Sequence, residues 1–290
     1  MERTKGGRGV KICRTVEETR AAVAALKTGG KRLGFVPTMG ALHDGHMSLV
    51  TLAREVTDFV AVSIFVNPTQ FGEDTDLQNY PRNEARDLAM LQKAGVDLVF
   101  LPEVETIYPP GHETIVETTR LANILHGAVR PGHFRGVTSV VTRLFNIVQP
   151  DVAVFGEKDY QQLQVIKRMV ADLHMPVTIL GGPTQREADG LAMSSRNARL
   201  TDTDRAAAVV LHKALNAAAD LAQTGTSVAA IRALIEATIA SEPRASLKGL
   251  DTVTPDTLEP VEGPLTQPLA VMLSVQFSDI LLIDQKVIQP

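Results

Sequence analysis

The chain has 290 residues, 44% of them hydrophobic and 21% charged, with 29 Lys and Arg against 33 Asp and Glu. That composition excludes disordered, collagen-like and coiled-coil chains, and a formal charge of −4 speaks against a nucleic-acid partner, since neutralising a phosphate backbone takes a surplus of cations. Aromatic residues are also scarce, with no Trp and 3 Tyr, which leaves few stacking platforms for single-stranded nucleic acid. The one cysteine, Cys13, forms no intrachain disulfide, no signal-peptide pattern is seen, and no apolar run approaches the roughly 20 residues that span a bilayer. A cytoplasmic enzyme with no membrane partner is the expectation, and the length suggests two domains.

Thr15 and Glu18 form a capping box that opens a helix running to Lys27, where Gly29 and Gly30 end it. Residues 32–36 predict a strand stopped by Pro37, and a helical pattern restarts near Gly45. The β-branched run 58–66 suits a strand covered on both faces. A long polar loop over 67–80 is of a size that usually serves function. Then come a helix over 83–94, a strand over 97–101, an irregular stretch over 102–113, a short helix over 121–126 and a basic loop over 130–136. Residues 137–148 show a helical apolar face, 151–155 a strand, 159–173 a helix and 177–180 a last short strand. Such alternation predicts an α/β fold, a Rossmann-like doubly wound parallel sheet, over residues 1–182. Past a hinge at 181–183, helices over 202–222 and 227–240 and short strands over 250–253, 270–275 and 280–283 predict a second, smaller α+β domain over 183–290.

In a doubly wound sheet ligands bind beyond the carboxyl ends of the strands, so the segments that follow strands are the candidates. Met39, Gly40, Ala41, Leu42, His43, Asp44, Gly45 and His46 form a glycine-bearing turn into a helix N-terminus, a place that favours phosphate. The two histidines, three apart, point to one side of the first turn, toward a phosphate; capping the helix is the alternative for these residues alone, and a zinc site lacks further ligands of suitable spacing. Asn67 and Gln70 offer amides for a hydroxyl or carboxylate, or form an ordinary polar turn. Gly156, Glu157, Lys158 and Asp159 place a lysine at the mouth of the sheet, with Gln162 one turn into the next helix. A solvated ion pair is the bland alternative for Lys158. Met193, Ser194, Ser195 and Arg196 make a compact anion clamp on the second domain, where closure could bring it over a nucleotide.

A His-x-Gly-His turn followed far along by Met-Ser-Ser-Arg resembles the paired signatures of the HIGH/KMSKS-type nucleotidyltransferases. Within that superfamily the motifs are similar to those of the pantoate–β-alanine ligase (pantothenate synthetase) family. They are Val36-Pro-Thr-Met-Gly40, Leu42-His-Asp-Gly-His46, Ser63-Ile-Phe-Val-Asn-Pro-x-Gln-Phe71, Tyr80-Pro-Arg82, His133-Phe-Arg-Gly-Val137, Phe155-Gly-Glu-Lys-Asp-Tyr-Gln-Gln162, Asp189-Gly-Leu-Ala-Met-Ser-Ser-Arg-Asn197 and Leu281-Leu-Ile-Asp284. The resemblance implies that ATP and pantoate give pantoyl adenylate and pyrophosphate, that β-alanine then displaces AMP, and that Mg²⁺ is required. It implies an ATP site at Met39 through His46, Gly156 through Asp159, the backbone of Gln185, and Met193 through Arg196. His46 takes the place of the family's catalytic histidine, with His43, Lys158 and Arg196 beside it in the chemistry. Gln70 and Gln162 match positions that hold pantoate, with Asn67 alongside Gln70, and Asp87 matches a magnesium-side carboxylate. A homodimer is implied as well. Thr69 departs from the Met common in the family and shortens an apolar wall of the substrate pocket.

The competing expectation within the superfamily is another His-x-Gly-His nucleotidyltransferase acting on a small phosphorylated or hydroxy-acid substrate. A nucleotide-binding sensor without turnover is the non-enzyme alternative, and retention of both histidines, Lys158 and Arg196 speaks against it.

Overall fold

The computed structural model describes residues 9–72, 77, 78 and 80–290. The first eight residues, with residues 73–76 and 79 of the loop expected over 67–80, lie outside the described residues. Two compact units are present: residues through Phe155 together with Val165–Gly182, and Gly156–Gln164 together with Pro183–Pro290. The sequence reading assigned all of 1–182 to one domain. The difference is the stretch 156–164, the turn after a strand and the first helical turn beyond it, which groups with the second unit.

In the first unit the strands are β1 (Lys11–Cys13), β2 (Leu33–Thr38), β3 (Phe59–Ile64), β4 (Leu98–Phe100), β5 (Val152–Gly156) and β6 (Thr178–Gly182). The helices are α1 (Val16–Leu26), α2 (Asp44–Val56), α3 (Glu84–Lys93), α4 (Val104–Ile107), α5 (His126–Val129), α6 (His133–Val148) and α7 (Tyr160–Asp172), which continues out of the second unit's segment. The sheet order is β1-β4-β3-β2-β5-β6, and the pairs β1/β4, β4/β3, β3/β2 and β2/β5 are all parallel. Chain order runs outward from β2 to β3 and β4 on one side and resumes with β5 on the other. The topological switch of this doubly wound sheet therefore lies between β2 and β5, and the loop leaving β2 opens there.

Leu33, Phe35, Val36, Val60, Ala61 and Val62 are fully buried, the burial on both faces that a continuous apolar run requires. Both β2 and the third helix confirm their local signals with shifts at the ends. β2 runs through Pro37 to Thr38 rather than stopping before the proline. β5 pairs with β2 only at Gly34 and Phe35, so the residue without an N–H falls past that ladder. Strand β1 was not anticipated; with only Cys13 of its three residues buried, it shows no period to detect. The short helix expected over 121–126 lies instead at α5, entered through Leu125 at a φ of 51°. α6 starts four residues before its expected boundary because Gly132, at a φ of 82°, turns the chain into it.

The second unit contains α8 (Asp202–Ala207), α9 (Val210–Ala222), α10 (Val228–Ala240) and the antiparallel strands β7 (Ser246–Val253), β8 (Leu269–Phe277) and β9 (Ile280–Ile288), ordered β7-β8-β9. The helix expected over 202–222 is two, broken where ψ opens to about −17° at Ala208 and Val209. Ile231, Ile235, Leu211, Leu215, Leu273 and Phe277 build a core of helix pair on sheet. Among the described residues no helix is long and apolar enough to cross a membrane.

Candidate active site

In the first unit the site begins at the exit of β2. Thr38 Oγ1 donates to Ser63 O at 2.7 Å and accepts from Gly40 N at 3.2 Å. Gly40 and Ala41 then turn the chain through positive φ, 83° and 51°. Two backbone N–H groups exposed by that turn, those of Ala41 and Leu42, donate to the two oxygens of Asp87 at 2.8 and 2.9 Å. Asp87 itself is buried in the first turn of α3. The expectation for this residue was a magnesium-side carboxylate; in the structure both of its oxygens accept from the amides of the loop that leaves β2.

The histidine pair caps α2. His43 is the N-cap, with Nδ1 accepting from Gly45 N at 3.2 Å, and His46 Nδ1 accepts from His43 N at 3.3 Å. The ring centroids stand 4.2 Å apart. The cap and phosphate readings, alternatives in the sequence, are thus compatible here. A neutral imidazole whose Nδ1 accepts carries its proton on Nε2, so the capping box selects that tautomer for both rings.

Behind β3 a second polar group forms. Asn67 and Gln70 are buried on the 3₁₀ turn Pro68–Gln70. Asn67 Nδ2 donates to Gln70 Oε1 at 2.9 Å and to Gly136 O at 3.2 Å, and Gln70 Nε2 reaches Met39 Sδ at 3.1 Å. The Gln70 carbonyl meets His133 Nδ1 at 2.8 Å. Tyr108 and Thr69 complete the cluster: Tyr108 Oη donates to Asn67 Oδ1 at 2.8 Å, and the Thr69 hydroxyl lies 2.9 Å from that oxygen and 3.1 Å from Tyr108 Oη. Burial pushes the Tyr108 phenol above its ordinary range, against smaller opposing effects of Thr69, Arg143 and Asn67. Tyr108, His133 and Gly136 were not singled out as site residues in the sequence; a buried tyrosine gives no local signal, and the Gly136 role appears only when the helix meets the turn.

In the second unit a cleft partly open to solvent is lined by Lys158, Ser194, Arg196 and Asn197 together with Leu191, Leu211, Leu281 and Asp284. It brings three of the expected cations and hydroxyls together, while Gly156, Glu157, Asp159, Gln162, Gln185, Met193 and Ser195 do not line it. Lys158 is mostly shielded, at 17% side-chain exposure, and its Asp159 partner is distant at 3.5 Å. A solvated ion pair is therefore a poor description. Ser194 caps the 3₁₀ turn Ser195–Arg199 by accepting from Arg196 N at 3.3 Å. The Gln185 carbonyl is already engaged by Met193 N at 2.9 Å, a bond that closes the hairpin ahead of the serines. Beneath that hairpin Arg186 forms a two-bond fork with the buried Asp284, at 2.6 and 2.9 Å, which ties the segment to β9. Asn197 was quoted only within a motif; it lines this cleft, and its Oδ1 is buried without a hydrogen-bond partner.

Geometry of this kind, a capped histidine pair after β2 and a Lys-Ser-Arg cleft on a smaller unit, accords with the family match: residues 11–287 match the family described as pantoate-beta-alanine ligase. The chain belongs to the pantoate–β-alanine ligase family. A pantothenate synthetase of Agrobacterium fabrum is 52% identical over 280 residues, covering 96% of each chain. One from Rhizobium meliloti is 50% identical over 277 residues, covering 95% of each. Of solved structures, pantothenate synthetase from Thermus thermophilus is similar at a TM-score of 0.91 and 46% identity, covering 97% of this chain and 100% of its own. The Francisella tularensis pantoate-beta-alanine ligase, complexed with beta-gamma ATP and beta-alanine, gives a TM-score of 0.78 at 35% identity, covering 96% and 97%. Members of the pantoate–β-alanine ligase family are ATP-dependent ligases, and this chain is an enzyme of that class.

Proposed function

We propose that the chain condenses pantoate with β-alanine through a pantoyl-adenylate intermediate, using the residues above in defined roles. In the first half-reaction a pantoate carboxylate oxygen attacks the α-phosphorus of ATP; an O–P bond forms and the bond to pyrophosphate breaks. Two anions meet in that step and charge builds on phosphoryl oxygens, so donors set in advance lower the barrier. His43 and His46 serve through Nε2–H, Lys158 and Arg196 as fixed cations, and Ser194 and Ser195 as hydroxyl donors. Gly40 through Gly45, Gly156 through Asp159, Gln185 and Met193 are assigned to the nucleotide by backbone and packing. Gln70, Asn67 and Gln162 hold pantoate. In the second half-reaction the β-alanine amine attacks the activated acyl carbon and the acyl–oxygen bond to AMP breaks, a step governed by positioning.

Mg²⁺ belongs to this reading only as an ion brought with the nucleotide. Among the described residues no group of three or more His, Cys, Asp or Glu side chains could hold a metal, and both Asp87 oxygens accept loop amides. No step is assigned to a protein-built magnesium site; Mg²⁺ is usually held by one or two carboxylates together with substrate phosphate oxygens. The enzyme is proposed to work as a homodimer in the cytoplasm.

The observation that carries the reading is the capped histidine pair at the head of α2, because acceptance by both Nδ1 atoms puts the proton of each neutral ring on Nε2, a donor suited to phosphoryl oxygens rather than a metal ligand. A product assay tests it. ATP and pantoate alone should yield pyrophosphate with adenylate retained, and AMP with pantothenate should appear on adding β-alanine. A stable nucleotide-containing product would favour the other His-x-Gly-His nucleotidyltransferases. His46→Ala and Lys158→Ala should each lower kcat by two or more orders of magnitude with the fold retained, His46→Ala melting a few degrees lower for the lost cap; near-normal kcat in both would overturn the assignment.

A further inference from the structure

The polar cluster at Asn67 has a direction. Asn67 Oδ1 is approached by the Thr69 backbone N–H at 3.3 Å, and a backbone N–H can only donate. Asn67 Nδ2 faces Gly136 O at 3.2 Å, and a carbonyl can only accept. The Asn67 amide is thereby held in one of its two flips, with Nδ2 presented to Gln70 Oε1 at 2.9 Å. Gln70 is left with its NH₂ as the end offered to a ligand, where Met39 Sδ is a weak partner. Two hydroxyls strengthen the start of this relay. Tyr108 is buried, its Oη donates to Asn67 Oδ1, and the Arg143 guanidinium sits 4.7 Å above its ring. Thr69 is exposed as a residue but its Oγ1 is turned inward onto both Asn67 and Tyr108. A methionine at position 69 has no hydroxyl to supply either bond.

We propose that Thr69 and Tyr108 are positioning residues that hold Gln70 as a hydrogen-bond donor through Asn67, and so tune recognition of the oxygen acceptors of the hydroxy acid. The proposal rests on the assignment of Gln70 to pantoate. Its consequence is chemical: Gln70 receives a carboxylate or hydroxyl oxygen of the substrate and does not receive a donor. Thr69 is therefore a polar support behind the pocket in this chain, where the sequence alone suggested only a shortened apolar wall.

Steady-state kinetics of four variants test it. Thr69→Val keeps the shape and removes the hydroxyl; it should raise the pantoate KM roughly threefold to tenfold, the effect of losing one hydrogen bond, with kcat and the ATP KM within twofold of the parent. Tyr108→Phe should do the same, and Thr69→Ser should restore the parent KM. A Thr69→Val pantoate KM within twofold of the parent, or a Thr69→Ser variant no better than Thr69→Val, would overturn the proposal. Equal rises in the KM for pantoate, ATP and β-alanine would also overturn it, since a general loss of structure moves all three. Gln70→Ala separates this outcome from failure of the underlying assignment. An unchanged pantoate KM in Gln70→Ala removes the assignment and the proposal with it, whereas a raised one beside an unaffected Thr69→Val rejects the Thr69 role alone.

Discussion

Asp87 shows what a single side chain can settle. Two successive residues in left-handed conformation, Gly40 and Ala41, leave adjacent N–H groups pointing the same way, and an L-residue such as Ala41 pays roughly 1–2 kcal/mol to be there. A buried carboxylate that accepts both amides offsets that strain, and it sets the path by which His43 enters α2. An alanine at Gly40 would bring its Cβ to 3.0 Å from Asp87 Oδ2, so the loop and the carboxylate are fitted to each other. Asp87→Asn keeps the volume but turns an NH₂ toward one of the two amides. We expect kcat/KM for ATP to fall roughly tenfold to a hundredfold, in line with the ~1.5–3 kcal/mol of a hydrogen bond to a charged group. The magnesium concentration giving half-maximal rate should be unchanged, and a large shift in it would return Asp87 to the metal.

At the scale of elements, the decisive packing is α6 against the Pro68–Gln70 turn. A Cβ on Gly136 would lie 2.5 Å from Thr69 O and 2.8 Å from Gln70 Cα, both backbone atoms that cannot swing aside. Gly136→Ala should therefore push the helix off the turn, destabilising the protein by about 1–3 kcal/mol, as overpacked sites do. It should also raise the pantoate KM, because Gly136 O anchors Asn67. Calorimetry and kinetics on one sample check both, and a normal pantoate KM in the variant would separate the helix from the pocket. Much of this element was legible in the sequence: the apolar face at Val137, Val140, Val141, Leu144, Phe145 and Val148 is a helix period, and all six are buried. Its first turn was not legible, since His133, Arg135 and Gly136 are polar or small, the single Phe134 sets no period, and the stretch read as a loop.

For the whole molecule, the two units are held by different chemistry. The first unit's core is strand on helix around β2 and β3. The second adds an ionic and polar frame around two buried carboxylates, with the Arg186–Asp284 fork and Arg244, Ser278 and Thr201 on Asp204, and a more exposed pairing of Arg205 with Glu187 and Asp189. His212 lies in this frame, and burial first, then the positive Arg186, hold its imidazole below the ordinary 6.5. The unfolded chain thus takes up a proton that the fold refuses. Stability from this source is complete above pH 6.5 and is lost as pH falls through the lowered value. Melting temperature followed from pH 8 to 5 should fall less steeply in His212→Gln than in the parent, whatever the variant's absolute stability. Parallel slopes would show that His212 does not carry the acid sensitivity.

The sequence by itself determined the alternation of strand and helix, the apolar runs that bury on both faces, the capping residue Thr15, and the motifs that mark the family. Each of these is a local pattern, written in spacings of a few residues, where propensity and periodicity act directly. Only the tertiary structure decided which partners those residues meet. It gave Asp87 to two amides 45 and 46 residues away, turned Thr69 and Tyr108 onto Asn67, set Gly136 against the turn that carries Gln70, and grouped residues 156–164 with the second unit. Contacts across such separations follow from how whole elements pack. A polar residue's function depends on the groups that satisfy its hydrogen bonds, and no spacing along the chain names them.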